Sequence, residues 1–289
     1  MDILMNYAFQ IIALGTALLA AVAAPVGALS VYKGQSLIGD AIGHATFPGV
    51  VLAFMAFSTR SPVVLLVGAM AAAAVTFFAI QAAHENTRVG LNANLAVFLS
   101  GFFGLGMVLK SFIQGNEAYR GASQAGLETY IFGQAAYMLE ADVKLIAFVA
   151  ALCAALLFAF YKELKVFVFD AEYARAVGLP VRLLQVLLPF LTIAVIGIGI
   201  KAVGAILISS FLIIPCVAAS QWSDDFAHVL FLSAVFGVVA ALAGTYVSTL
   251  EQGMSTGPSI ILAASAIAFL SMFFGKRGAF RKRGRREEA

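Results

Sequence analysis

Apolar residues run along this chain in long blocks rather than in alternation. Nine blocks have the length, about 17–25 residues, that carries a helix across the hydrocarbon layer of a membrane. They cover 8–29, 38–57, 62–83, 92–113, 142–161, 183–201, 203–219, 226–247 and 257–274. The period-two pattern of an outer-membrane barrel is absent. The pattern predicts an all-α, polytopic helical membrane protein with about nine transmembrane helices, or eight if one block does not span. The blocks at 183–201 and 203–219 are short and meet at Lys201 and Ala202, which predicts a tilted, broken or partly re-entrant pair.

Composition strengthens this picture. Of 289 residues, 62% are hydrophobic and 11% charged, and the mean hydropathy is +0.97. A soluble domain carries about 25% charged residues, so an ordinary soluble enzyme, a disordered chain and a secreted disulfide scaffold are excluded. The two cysteines, Cys153 and Cys216, lie inside apolar blocks and read as packing residues. The chain opens on Met1-Asp2 without a basic n-region, which argues against a cleaved signal peptide despite the small residues Ala20–Ala24.

The net charge of +3 hides an uneven distribution. From Lys276 onward there are seven basic and two acidic residues, which leaves 11 of the 18 bases and 13 of the 15 acids for the rest. Residues 276–289 thus form a basic tail on a near-neutral body. With the tail and the loop at about 162–182 on the cytoplasmic side, 13 Lys and Arg fall inside and 5 outside, as the positive-inside rule requires. The C-terminus is expected in the cytoplasm and, with nine spans, the N-terminus outside. The tail reads as a topology determinant that contacts anionic lipid, not as a nucleic-acid site.

Two connecting segments are long enough to have work. The first, about 114–141, carries turn residues, the acids Glu117, Glu128 and Glu140, and Arg120. It is either a solvated connector with a short interfacial helix bearing Tyr130, Phe132 and Tyr137, or a functional outer loop. The second, about 162–182, contains a short amphipathic helix over Ala171–Val177. Asp170 is its cap, Gly178 its stop, and Pro180 follows. It either lies on the headgroups or docks a cytoplasmic partner. No GxxxxGK[ST] and no GxGxxG motif is present. If ATP drives this protein, another polypeptide binds it.

Ionisable residues inside spans are costly and mark function. Asp40 and His44 stand four residues apart in an apolar block, which puts them on one helical face. A carboxylate and an imidazole suit Mn²⁺, Fe²⁺ or Zn²⁺ better than Ca²⁺ or Cu⁺. Two ligands are too few, and a second copy across a twofold axis would supply two more. The bland alternative is a buried Asp–His pair that only packs the bundle. His84 and His228, beside acids at span ends, read as solvated. HExxH does not occur, so an intramembrane zinc protease lacks its motif. Pro48, Pro215 and Gly257-Pro258 interrupt apolar blocks. Pro48, Gly204 and Pro215 are candidate helix breaks or gating positions.

Four stretches, GDAIGHATFPGV, FDAEYARAVGLPVRLL, KAVGAILISSFLIIPCVAA and STGPSIIL, resemble in order the permease family of ABC importers for zinc, manganese and iron. The resemblance covers about residues 30–270. GNEAYRGASQAGLETYIFGQAA is more similar to the manganese/iron branch.

The resemblance implies a type II importer-like permease domain over residues 1–275, in the inner or cytoplasmic membrane of a prokaryote. It implies a second permease subunit (a second copy or a paralogue), a cytoplasmic ABC ATPase dimer, and an extracytoplasmic solute-binding protein that delivers the metal. It also implies that Asp40 and His44 contact the metal. Asp170, Ala174, Arg175, Ala176, Val177, Gly178 and Leu179 then form the coupling helix that sits in the ATPase. The chain would be no enzyme itself and hold no permanent cofactor. Mn, Zn or Fe would pass through it.

Two departures stand out: Asn92 and Asn94 replace acids common in the family, and Lys201 stands where Gln is usual. Lys201 is expected to point away from a cation path. The rival reading is an ion- or proton-coupled secondary metal transporter in which Asp40 and His44 titrate.

Overall fold

A computed structural model describes residues 6–59, 61–116, 133, 135–250 and 254–278. Among these residues the chain is helical throughout, and no strand occurs. α1 (Tyr7–Tyr32) begins where the Asn6 side chain accepts the Ala8 amide at 2.9 Å. It is apolar all round, and Leu19, Ala20, Ala23, Ala24, Val26 and Ala28 are fully buried. A helix with no polar face belongs in the centre, and α1 is the helix around which the bundle closes. Its small residues allow close approach: Gly27 meets the Leu212 backbone and Gly237 meets Ala20.

A tight turn over residues 33–37, with Gly34 at φ +76, leads into α2 (Ile38–Phe57). Gln35 N–H donates to the Ser30 carbonyl at 2.8 Å and Ile38 N–H to the Gln35 carbonyl at 3.0 Å. α3 (Pro62–Asn86) packs on α2 through Gly68, where a Cβ would lie 2.6 Å from the Gly49 carbonyl oxygen. α4 (Leu91–Gly115) lies on the other side of α2, with Gly106 against Phe47 and Pro48. After a 3₁₀ turn at Ala135–Tyr137, α5 (Glu140–Ala159) packs on α1.

The predicted loop at 162–182 is corrected by the structure. The chain breaks only at Phe160 and resumes as α6 (Tyr161–Phe169), then α7 (Ala171–Ala176). Leu164, Phe167 and Val168 are buried, and this spacing of i, i+3, i+4 was available in the sequence. The alternation Val166-Phe167-Val168-Phe169 obscured it.

α8 (Val181–Ala219) holds two spans, Val181–Ile200 and Ala202–Ala219. Gly204 breaks it with φ 83 and ψ 165. In one straight helix Gly199 and Ile208 would be about 13 Å apart. Here a Cβ on Gly199 would lie 2.7 Å from Ile208 Cδ1. Thr192 lines a small cavity with Ser30 and Lys33, while Leu212 touches Gly27, so both arms reach the same end of α1. α8 is therefore a helical hairpin with Gly204 near its tip. Helix geometry continues through Pro48 and Pro215, which corrects the expectation of breaks there. α9 (Phe226–Leu250) and α10 (Thr256–Phe274) complete the bundle.

Nine helical segments among the described residues are long and apolar enough to cross a membrane. Contacts sort their ends. Tyr7 meets Glu140 at 3.5 Å and Phe9 meets Tyr246 at one end. At the other, Lys33, α6, the 220–225 turn and the start of the tail converge, with Arg277 paired to Asp224 and its N–H donating to the Gln221 carbonyl at 3.1 Å.

Candidate functional site

Asp40 enters α2 in its first turn, and His44 follows one turn later. His44 Nε2 lies 3.4 Å from Asp40 Oδ1, and the side chains are 19% and 32% exposed respectively. The i, i+4 spacing thus brings one oxygen and one nitrogen together on a common face. Phe103 of α4 stands edge-on to the imidazole, with centroids 5.2 Å apart and planes at 81°. His44 Nδ1 is buried without a hydrogen-bond partner.

The second arm of α8 supplies the adjoining wall. A Cβ on Gly43 would lie 3.4 Å from Ser209 Oγ and 3.9 Å from Ala205 Cβ. Ser209 Oγ donates to the Ala205 carbonyl at 2.9 Å and faces the Asp40 carboxylate. Gly43 is what allows this approach. The pair therefore sits beside the hairpin arm, a few residues from the Gly204 tip.

Among the described residues no third His, Cys, Asp or Glu joins the pair within metal-binding reach. One chain thus presents two donors, half the number needed for four-coordination. Asn94 is buried and its Nδ2 has no partner, whereas Asn92 is exposed. The side chain of Lys201 and residues 117–132 of the first long segment lie outside the described residues, and so do Arg60 and the tail from 279 onward.

The other predicted element is built as its residue types require. Asp170 Oδ1 accepts the amides of Glu172 at 3.0 Å and Tyr173 at 2.8 Å, which satisfies two orphan donors of α7. At the far end Gly178 takes φ +82. Leu179 N–H donates to the Ala174 carbonyl at 3.0 Å and Gly178 N–H to the Arg175 carbonyl at 3.1 Å, a complete Schellman closure. The helix ends at Ala176 with Val177 as its cap, one residue short of the expected end. Ala174 is buried, while Tyr173 and Val177 are more than half exposed. α7 thus turns an apolar face away from the bundle.

His84 is exposed at the end of α3. His228 is exposed and pairs with Asp225 at 2.7 Å. The Ala227 amide, and then His228, hold the Asp225 carboxyl below the usual carboxylate range. Both histidines are solvated ends, as their neighbours suggested.

Residues 5–275 match the ABC 3 transport family. The chain belongs to this family. It is 37% identical over 265 residues to the "Manganese transport system membrane protein MntC" of Bacillus subtilis, a match that covers 91% of this chain and 60% of that protein. Against the "Zinc transport system membrane protein TroC" of Treponema pallidum it is 35% identical, over 95% of this chain and 91% of that one. Among solved structures, a chain of "PsaBC from Streptococcus pneumoniae in complex with Fab" superposes with a TM-score of 0.82 at 27% identity, covering 98% of each chain. The all-helical architecture is therefore that of an ABC-3 transport protein. Among the described residues, the acid–histidine contact with both members inside a span is Asp40 with His44.

Proposed function

We propose that this chain is the membrane-spanning permease subunit of an ATP-driven importer for a divalent transition-metal ion, Mn, Zn or Fe. The observation that carries the reading is the Asp40–His44 pair, a carboxylate oxygen and an imidazole nitrogen on one face of α2, beside the hairpin of α8. That donor set suits these borderline cations. The names of the related proteins, two of them metal transport systems, support the same cargo class.

The pair is incomplete in one chain, so a second copy is the natural complement. Two aspartates and two histidines around a twofold axis form a four-donor cage of net charge −2. Such a cage lets the ion shed its water and still release it on the far side, because the ligands are few and belong to two separable subunits. A solute-binding protein outside delivers the ion to the outer loops. The sequence holds no nucleotide motif, so ATP is hydrolysed by a separate cytoplasmic ATPase dimer. α7, with Tyr173 and Val177 exposed, is its docking element, and the basic tail lies on the same side.

The test is uptake by the complete importer in proteoliposomes. Asp40→Ala and His44→Ala each lower ATP-dependent Mn²⁺ or Zn²⁺ uptake by about tenfold or more, the effect of losing about 1.4 kcal/mol at the step where the ion is held. Wild-type uptake in both variants would sink the proposal.

A further inference from the structure

The elements at the α7 end of the bundle meet in one aromatic cluster. Phe169, the last residue of α6, stands edge-on to Tyr32 at 5.6 Å and to Phe226 at 5.3 Å. Tyr32 and Phe226 meet edge-on at 5.2 Å, which closes a triangle of three rings. Tyr161, the first residue of α6, stacks on Phe226 at 6.4 Å with planes 14° apart. Between them, Phe167 lies beneath the Lys33 ammonium, 4.2 Å from ring centre to nitrogen. α6 is thus fastened at its first residue, at its seventh and at its last, the ninth.

What it is fastened to matters. Tyr32 ends α1, Phe226 opens α9, and Lys33 begins the turn into α2. That turn is closed by backbone hydrogen bonds at residues 35 and 38, and Asp40 follows two residues later. On the other side α6 runs into α7 through the single residue Asp170, which caps α7 with its own carboxylate. No slack segment separates α7 from Asp40. Edge-to-face rings hold a defined geometry, and close-packed contacts transmit displacement rather than absorb it.

We propose that the cluster of Tyr32, Lys33, Phe167, Phe169 and Phe226 is the rigid joint that carries a displacement of α7 into α2, and so to Asp40 and His44. The inference rests on the reading of α7 as the ATPase contact. It assigns positioning roles to these residues: they touch no cargo. Phe169 is the residue to probe. It is 56% exposed while Phe167 is 2% exposed, so trimming Phe169 leaves no buried cavity.

The experiment uses the complete importer in proteoliposomes, with spin labels in pairs. One pair joins Leu52→Cys on α2 to Phe148→Cys on α5, and the other joins Glu172→Cys on α7 to Phe148→Cys. In the otherwise unaltered chain, nucleotide shifts both distances. Phe169→Ala keeps ATPase association and the Glu172 shift, loses the Leu52 shift, and lowers the metal ions carried per ATP at least fivefold. Phe169→Tyr restores both.

If Phe169→Ala does not purify as an intact complex, Phe169→Leu, which keeps apolar volume without the ring, makes the same test. A wild-type transport ratio or a persisting Leu52 shift without the ring overturns the joint. An unaltered chain in which the Glu172 distance ignores nucleotide overturns the reading of α7 as well.

Discussion

At the scale of single residues, the chemistry of this protein rests on charge where charge is costly. Asp40 and His44 were legible because an acid and a histidine at i, i+4 in an apolar block have few bland explanations. Their surroundings were not legible. Phe103 and Ser209 are unremarkable in sequence, and only packing places them at the pair, the latter across Gly43. Lys33 is a second case.

Burial pulls the Lys33 ammonium from 10.5 down to about 8. Between about pH 8 and 10.5 the unfolded chain holds a proton that the folded chain has released. Stability therefore rises with pH across that window, and below about pH 8 the burial penalty is fully present. Lys33→Met removes the charge and leaves a contact for Phe167. The variant is expected to be about 1–3 kcal/mol more stable than wild type at pH 7, after allowance for the lost cation–π contact, with the gap closing towards pH 10. Thermal unfolding in detergent at both pH values is the check. An equal gap at both would show that Lys33 does not carry it.

At the scale of elements, the sequence carries chemical signals such as caps more clearly than geometric ones. The α7 helix announced itself through Asp170 and Gly178, and both ends formed as those residues require. α6 was missed because nine residues with an alternating end resemble a connector. Pro48 and Pro215 looked like breaks, yet both helices continue through them. Of the three candidate positions, Gly204 is the one with non-helical backbone, and its φ 83 and ψ 165 lie in a region open essentially to glycine alone. Gly204→Ala is expected to cost about 1–3 kcal/mol and to splay the α8 hairpin beside Asp40. A lower unfolding temperature together with reduced metal uptake is the expected result. Unchanged values for both would mean that the tip relaxes without consequence. Gly133, at φ +74 against the backbone of Val203 and Gly204, meets the same tip from the segment before α5 and crowds any side chain placed there.

At the scale of the whole molecule, the proposed cage makes each chain half a site. Two donors per subunit would then bind one ion per pair of subunits. Metal titration of the purified permease dimer is expected to give one ion per two chains, lost in His44→Ala. One ion per chain, retained by a monomer, would overturn the shared cage. α4 and α5 bury little of their surface inside the chain, so the single chain leaves broad apolar faces for lipid or other subunits. The shortage of donors was readable in the sequence, but the uncovered faces of α4 and α5 were not, because they belong to the folded surface.

The sequence by itself determined the class of the protein: nine apolar blocks, a near-neutral body, a basic tail, an acid–histidine pair at i, i+4 and a short capped helix. These are properties of local composition and of spacing within a few turns, and helices in a membrane satisfy their own backbone. Tertiary structure alone decided that the two arms on either side of Gly204 pack back together, that Ser209 and Phe103 wall the pair, and that three rings tie α6 to α1 and α9. Each of these joins residues far apart in the chain. Their contact energies exist only once the bundle has closed.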